Sequence, residues 1–142
     1  MAGQLATART EIHADPQAVW SAMTDPGKVA EWMMGSRVDS DWQVGSPVTW
    51  SGEIDGRTYQ DKGEVLEADP GKVLEVTHYS PLMGREDRPE SYHRVRYELT
   101  GSGGTTTVAL TQDGCDGEEQ ARQFSRNWQG MLEGLKRVAE SD

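Results

Sequence analysis

The chain has 142 residues, 35% hydrophobic and 27% charged, with 24 acidic against 14 basic side chains and a formal net charge of −10. That length suits one domain around one core and is too short for two. The acidic excess repels a phosphate backbone, and the basic residues between Arg85 and Arg96 are interrupted by Glu86, Asp87 and Glu90, so nucleic acid is not an expected partner.

A lone cysteine, Cys115, cannot form an internal disulfide and stands among Gly114, Asp116 and Gly117, a composition that reads as an exposed turn. Residues 1–9 carry no apolar h-region, and no segment approaches the roughly 20 apolar residues of a membrane helix. The expectation is a soluble cytoplasmic protein with neither export signal nor membrane insertion.

In chain order, a first strand ends near Thr10 and Ile12. Asp15-Pro16 joins an N-cap to a proline at the first helical position, and Val19, Trp20 and Met23 share one helical face, so a short helix starts there. Asp25-Pro26 repeats the device before a second brief helix over residues 28–32, which stops ahead of Gly35. From Trp42 onward the turn signals crowd together. Asp55-Gly56 separates a strand over 47–54 from another over 57–68, and Asp69-Pro70-Gly71 marks the next tight turn.

Residues 73–79 and 92–99 read as strands; in the second, Val95, Tyr97 and Leu99 alternate with Arg94, Arg96 and Glu98. Between them, residues 80–90 hold Pro81, Leu82, Met83, Gly84 and Pro89 and form a surface loop, either a plain connection or a cover for a cavity mouth. Gly101 to Gly104 turn the chain into a strand over 105–112 with Thr106, Val108 and Leu110 on one face. Such a meander has one apolar face and needs a cover on it.

The cover is the C-terminal segment. Asp116 and Glu119 have capping-box spacing, and Phe124, Trp128, Met131, Leu132, Leu135, Val138 and Ala139 recur at helical intervals. Glu118 and Glu119 at its start and Lys136 and Arg137 at its end complement the helix dipole. Gly130 and Gly134 each cost about 1 kcal/mol relative to alanine, and mark a close approach, a space left open, or an ordinary weakness. The fold class expected is therefore α+β: a helix-grip arrangement in one domain over 1–142, with a curved antiparallel sheet of about six strands around a long C-terminal helix and two short helices after the first strand.

This order resembles the START-like, birch-pollen-allergen (SRPBCC) superfamily, and within it the bacterial branch similar to the C-terminal domain of the activators of the heat-shock chaperone ATPase. The resemblance is carried by Ile12-His13-Ala14-Asp15-Pro16, Val19-Trp20-Ser21-Ala22, Thr24-Asp25-Pro26 and Glu31-Trp32-Met33. It continues through Gly63-Glu64-Val65-Leu66-Glu67, Val73-Leu74-Glu75-Val76-Thr77-His78, the strand from Thr105 to Gln112, and Phe124, Trp128, Met131-Leu132 and Leu135-Lys136. It implies an elongated cavity between sheet and long helix that takes lipids, polyketides, hormones or other apolar molecules in different members. His78 stands where the branch usually has an aromatic residue, and Met33-Met34 where a phenylalanine-containing pair is frequent, so the occupant is not carried over with the fold.

The residues expected to line the cavity are Trp32, Trp50, Val65, Leu74, Val76, His78, Tyr97, Val108, Phe124 and Trp128, most of them supplying desolvating contact while His78 and Tyr97 orient a polar atom. Trp20 and Trp128 read first as core, and Tyr59 joins Tyr97 as an inward hydroxyl. Because neighbours on a strand face opposite ways, His78 and Tyr79 cannot share one cavity without a bulge. His13, His78 and His93 fall in separate elements without ligand spacing, so no metal is expected, and no phosphate loop or other cofactor motif is present.

Cys115 lacks a neighbouring base and lies beside Asp113, Asp116 and Glu118, which argues against a nucleophile. Three readings stay open: a non-enzymatic binder of a small hydrophobic or amphipathic molecule; a cyclase, dehydratase or hydrolase with His78 as acid–base and Tyr97 as oxyanion donor; and an interaction module that docks on a chaperone or on a second copy of the chain.

Overall fold

A computed structural model describes residues 4–33, 35–81 and 84–141; Met34 of the Met33-Met34 pair and Leu82 and Met83 of the loop lie outside the described residues. The elements run β1 (Gln4–Ile12), α1 (Pro16–Thr24), α2 (Pro26–Trp32), β2 (Arg37–Asp39), β3 (Pro47–Ile54), β4 (Arg57–Asp69), β5 (Val73–His78), β6 (His93–Ser102), β7 (Thr105–Cys115) and α3 (Glu118–Glu140). The strands form one sheet in the order β1-β7-β6-β5-β4-β3-β2, with every pairing antiparallel. This is the α+β helix-grip arrangement, with seven strands where about six were expected. The additional one, β2, has three residues and is too short to show as a period.

Local chemistry sets the element boundaries. Asp15 Oδ1 accepts from the Ala18 N–H at 3.0 Å and Asp25 Oδ2 from the Lys28 N–H at 3.1 Å, so each Asp-Pro pair caps its helix as its sequence requires. Asp55 and Gly56 have φ of +52° and +79°, the two positive values that a two-residue hairpin needs to match strand twist. β4 carries one extra residue against β5 between Val65 and Glu67. Just before that bulge, Gly63 lies so close to β5 that a Cβ there would stand 1.7 Å from the Thr77 carbonyl oxygen. The missing side chain lets β4 bend across β5.

α3 closes the sheet in two ways. Its apolar face places Leu132 and Leu135, both fully buried, against Ile12, Val65, Val108 and Leu110 in the main core. Its polar flank seals the free edge of β1. The Thr7 N–H donates to Ser125 Oγ (2.9 Å), and the side-chain amide of Gln129 accepts from the Arg9 N–H and donates to the Arg9 carbonyl (3.2 and 2.9 Å). Lys136 Nζ donates to the Glu11 carbonyl (2.7 Å), and the His13 N–H donates to Glu140 (2.8 Å). An edge strand covered in this way offers no ladder to another chain.

Two local expectations are corrected. The capping box does not form: α3 starts after Gly117, the Asp116 carboxylate is taken by Arg85 (2.6 and 2.7 Å), and Gln120 rather than Glu119 reaches back to the Asp116 N–H at 2.6 Å. Cys115 is not in an exposed turn, because β7 runs on through it and pairs it with Gln4. It is 2% exposed in a small second cluster with Ala6, Ala121 and Phe124. Burial, joined by the carboxylates of Asp113 and Asp116, pushes its thiol up and away from thiolate chemistry. No helix among the described residues is long and apolar enough to cross a membrane.

Candidate functional site

Strand register decides which side chains meet on the concave face. Leu74 lies opposite Tyr97, Val76 opposite Val95, and His78 opposite His93. On β7, Leu110 lies opposite Tyr97 and Gln112 opposite Val95, while Trp50 of β3 lies opposite Asp61 of β4. The face is thus apolar over most of its length and turns polar at one end, where Asp61, His78, His93 and Gln112 converge.

Over that end lie Phe124, Asn127, Trp128 and Met131 of α3, at helical spacings that share one face. Together with Met33 these residues wall a cleft of about 370 Å³, toward the small end of the range for ligand sites. A larger open depression of about 510 Å³ lies between α1, α2 and β2. Its lining is mixed throughout, with Gln17, Ser21, Asp25 and Asp39 among Trp20, Val38 and Trp42, rather than apolar with one polar end that holds two histidines, so the cleft is the candidate site.

Four of the polar side chains in the cleft, Asp61, His78, His93 and Gln112, are held by defined partners. His78 Nε2 donates to Asp61 Oδ2 at 3.0 Å, and the Trp50 ring stands edge-on to the same imidazole with centroids 5.2 Å apart. His93 Nδ1 lies 2.9 Å from the Asp113 carbonyl, which can only accept, so that nitrogen carries the proton. A bulge in β7 aims this carbonyl, with one extra residue opposite the step from Gln4 to Ala6 and Gly114 at φ +73°. A Cβ on Gly114 would fall 2.8 Å from His93 Nδ1. Gln112 Oε1 accepts from the indole N–H of Trp128 at 2.6 Å, and Phe124 sits edge-on to His93 at 6.4 Å. Asp61 Oδ1 is buried without a hydrogen-bond partner, a condition rare enough in folded proteins to require a reason.

Of the residues expected to line a cavity, His78, Phe124 and Trp128 line this cleft. Trp32, Trp50, Leu74, Val76 and Tyr97 instead surround a void of about 20 Å³ deeper between sheet and helices, with Met23, Met33 and Trp42. Val65 and Val108 are fully buried in the packed core. Trp32 joins that core and donates its indole N–H to the Ala22 carbonyl at 2.8 Å. Tyr97 packs edge-on to Trp128 at 6.2 Å, and burial pushes its phenol well up, so it remains protonated. His78 and Tyr97 therefore line different spaces. Tyr59 shares a 2.5 Å hydrogen bond with Ser36 and covers Gly52 across the β3–β4 pair.

Asp61, His93, Gln112, Asn127, Met131 and Met33 were not foreseen as site residues. Counting by twos back from Val65 to Asp61, and from Tyr97 through Val95 to His93, would have found the first pair. The loop after β5 is held on the other side of the strand from His78. Tyr79 stacks on Tyr92 at 5.2 Å and donates to the Arg85 carbonyl at 2.6 Å, Tyr92 donates to Asp87 at 2.7 Å, and Lys62 pairs with Asp87. Its described residues are a connection rather than a wall of the cleft.

Comparison with known proteins agrees with this architecture. A family model described as "Activator of Hsp90 ATPase homolog 1-like protein" matches residues 13–140. The solution structure of ChR145 from Cytophaga hutchinsonii is 39% identical over 99% of this chain and 97% of its own, with a TM-score of 0.86. The Aha1 dimer from Colwellia psychrerythraea is 19% identical over 96% of each chain, with a TM-score of 0.73. DynU16, a protein of the dynemicin biosynthetic locus, is 23% identical over 96% of this chain and 47% of its own, with a TM-score of 0.76. The last two likenesses are of fold alone. No curated protein matches the chain.

Proposed function

The chain belongs to the Activator of Hsp90 ATPase homolog 1-like family, and from that premise we propose that it holds a small amphipathic molecule in the cleft between the sheet and α3. The observation that carries this reading is the joining, in one concave space of about 370 Å³, of an apolar wall (Met33, Phe124, Trp128, Met131) to four oriented polar side chains (Asp61, His78, His93, Gln112). An apolar body against the wall and a polar end among the four would exclude water and satisfy both. The interaction-module reading has less support. The exposed large apolar side chains among the described residues are Leu5, on β1, and Val44, just before β3, at opposite ends of the sheet order, so they form no single patch.

The test is a titration with N-phenyl-1-naphthylamine, a neutral fluorescent probe of suitable size, followed by its emission. One saturable site is expected, weakened about tenfold or more in Met131→Trp, which fills the cleft, with the far-ultraviolet circular dichroism unchanged. Absence of saturable binding would sink the reading, and undiminished binding in Met131→Trp would move the site elsewhere.

A further inference from the structure

Resting on that binding reading, the hydrogen-bond inventory of the cleft specifies the polar end of its occupant. A neutral imidazole has one N–H. His78 spends it on the Asp61 carboxylate and His93 on the Asp113 carbonyl, so the second nitrogen of each ring is left as an acceptor. Asp61 adds Oδ1, buried and unpartnered. Gln112 uses its oxygen on Trp128 and keeps its amide donor.

Two free ring nitrogens and the unpartnered Asp61 oxygen thus stand against the amide donor of Gln112, while the exposed Asn127 amide offers one group of each kind. The surroundings reinforce the bias, because the whole chain carries a net charge of −10 and an entering anion would meet the Asp61 charge at short range in a partly desolvated space. We infer that the cleft selects a neutral apolar molecule bearing a hydrogen-bond donor, a hydroxyl or an amine N–H, and rejects carboxylate-ended amphiphiles such as fatty acids. A donor of this kind supplies the partner that Asp61 lacks, and a site with unpaired polar groups discriminates strongly against an analogue without it.

Three probes on one body separate the outcomes: 2-naphthol, 2-methoxynaphthalene and 2-naphthoate, each titrated into the full chain at neutral pH and followed by tryptophan fluorescence and calorimetry. The expected ranking puts 2-naphthol about tenfold or more tighter than its methyl ether, and 2-naphthoate weaker than both. In Asp61→Asn the free oxygen gives way to an amide, and the hydroxyl preference should shrink to less than about threefold. Equal affinity for alcohol and ether in the unaltered protein would mean that water already satisfies Asp61, and would overturn the inference while leaving the binding reading intact. Tighter binding of the carboxylate would overturn it too, and failure of all three probes would remove the binding reading as well.

Discussion

At the scale of single residues, the functional end of the sheet depends on two glycines whose reasons differ. Gly114 supplies a left-handed backbone in the β7 bulge and leaves room for His93, so it is a positioning residue for the cleft. Gly63 is a matter of space alone: a β-carbon would overlap the Thr77 carbonyl oxygen, which belongs to backbone and cannot swing aside. Gly63→Ala is therefore expected to cost roughly 3 kcal/mol or more, the upper end of overpacking penalties, read as a lowered urea midpoint at unchanged slope. A loss under about 1 kcal/mol would show that β4 and β5 are not in contact there. The half-buried Arg96 illustrates the opposite case. Glu98, Glu67 and Glu75 surround its guanidinium at 2.6, 2.9 and 2.8 Å on the outer face, well away from the cleft.

At the scale of elements, α3 is both a core helix and an edge cover, and its two glycines now separate. Gly134 is buried, and a β-carbon there would lie 3.4 Å from Trp32 Cβ, so it accommodates α2. Gly130 faces open space, and a β-carbon there would meet nothing within 4 Å. Gly130→Ala should thus stabilise the protein by about 0.5–1 kcal/mol through helix propensity alone, measured by thermal or urea unfolding. A neutral or destabilising result would indicate that another molecule packs over that turn of α3 in solution. The failed capping box belongs to this scale as well. Asp116 had the spacing for it, but Arg85, from the loop after β5, donates from Nη2 to both oxygens of its carboxylate.

For the molecule as a whole, several carboxylates tie distant segments together. The His13 N–H and then Lys136 hold the Glu140 carboxyl below its ordinary range, and Arg85 does the same for Asp116. A folded-state value below the unfolded one contributes stability that is present above the unfolded pKa and disappears as pH falls through the folded one. Acidification from neutrality first relieves the self-repulsion of a chain with net charge −10; below about pH 4, the ordinary carboxylate range, the loss of these pairs should dominate. Urea midpoints measured at pH 7, 5 and 3 should fall over the last interval, and less steeply in Glu140→Gln and Asp116→Asn. Identical slopes in wild type and both variants would mean that the pairs do not hold in solution. Both groups are exposed, so added salt should flatten the difference.

What the sequence by itself determined is local or periodic. The two Asp-Pro caps, the Asp55-Gly56 turn, the alternation in β6 and the apolar stripe of α3 are each decided by residues within a few positions of one another, and together they force a one-sided sheet under a long helix. The split of the expected cavity into a cleft and a tight core was settled only in three dimensions. Val65 and Val108 have the right parity to face inward, but parity gives the face and not the depth, and α3 packs down on them while standing off near His78. The pairing of Asp61 with His78, the aiming of the Asp113 carbonyl at His93 and the burial of Cys115 depend on cross-strand register and on bulges in β4 and β7. A one-residue offset between partners leaves no trace in either strand read alone, which is why tertiary structure was needed to assemble the polar end of the site.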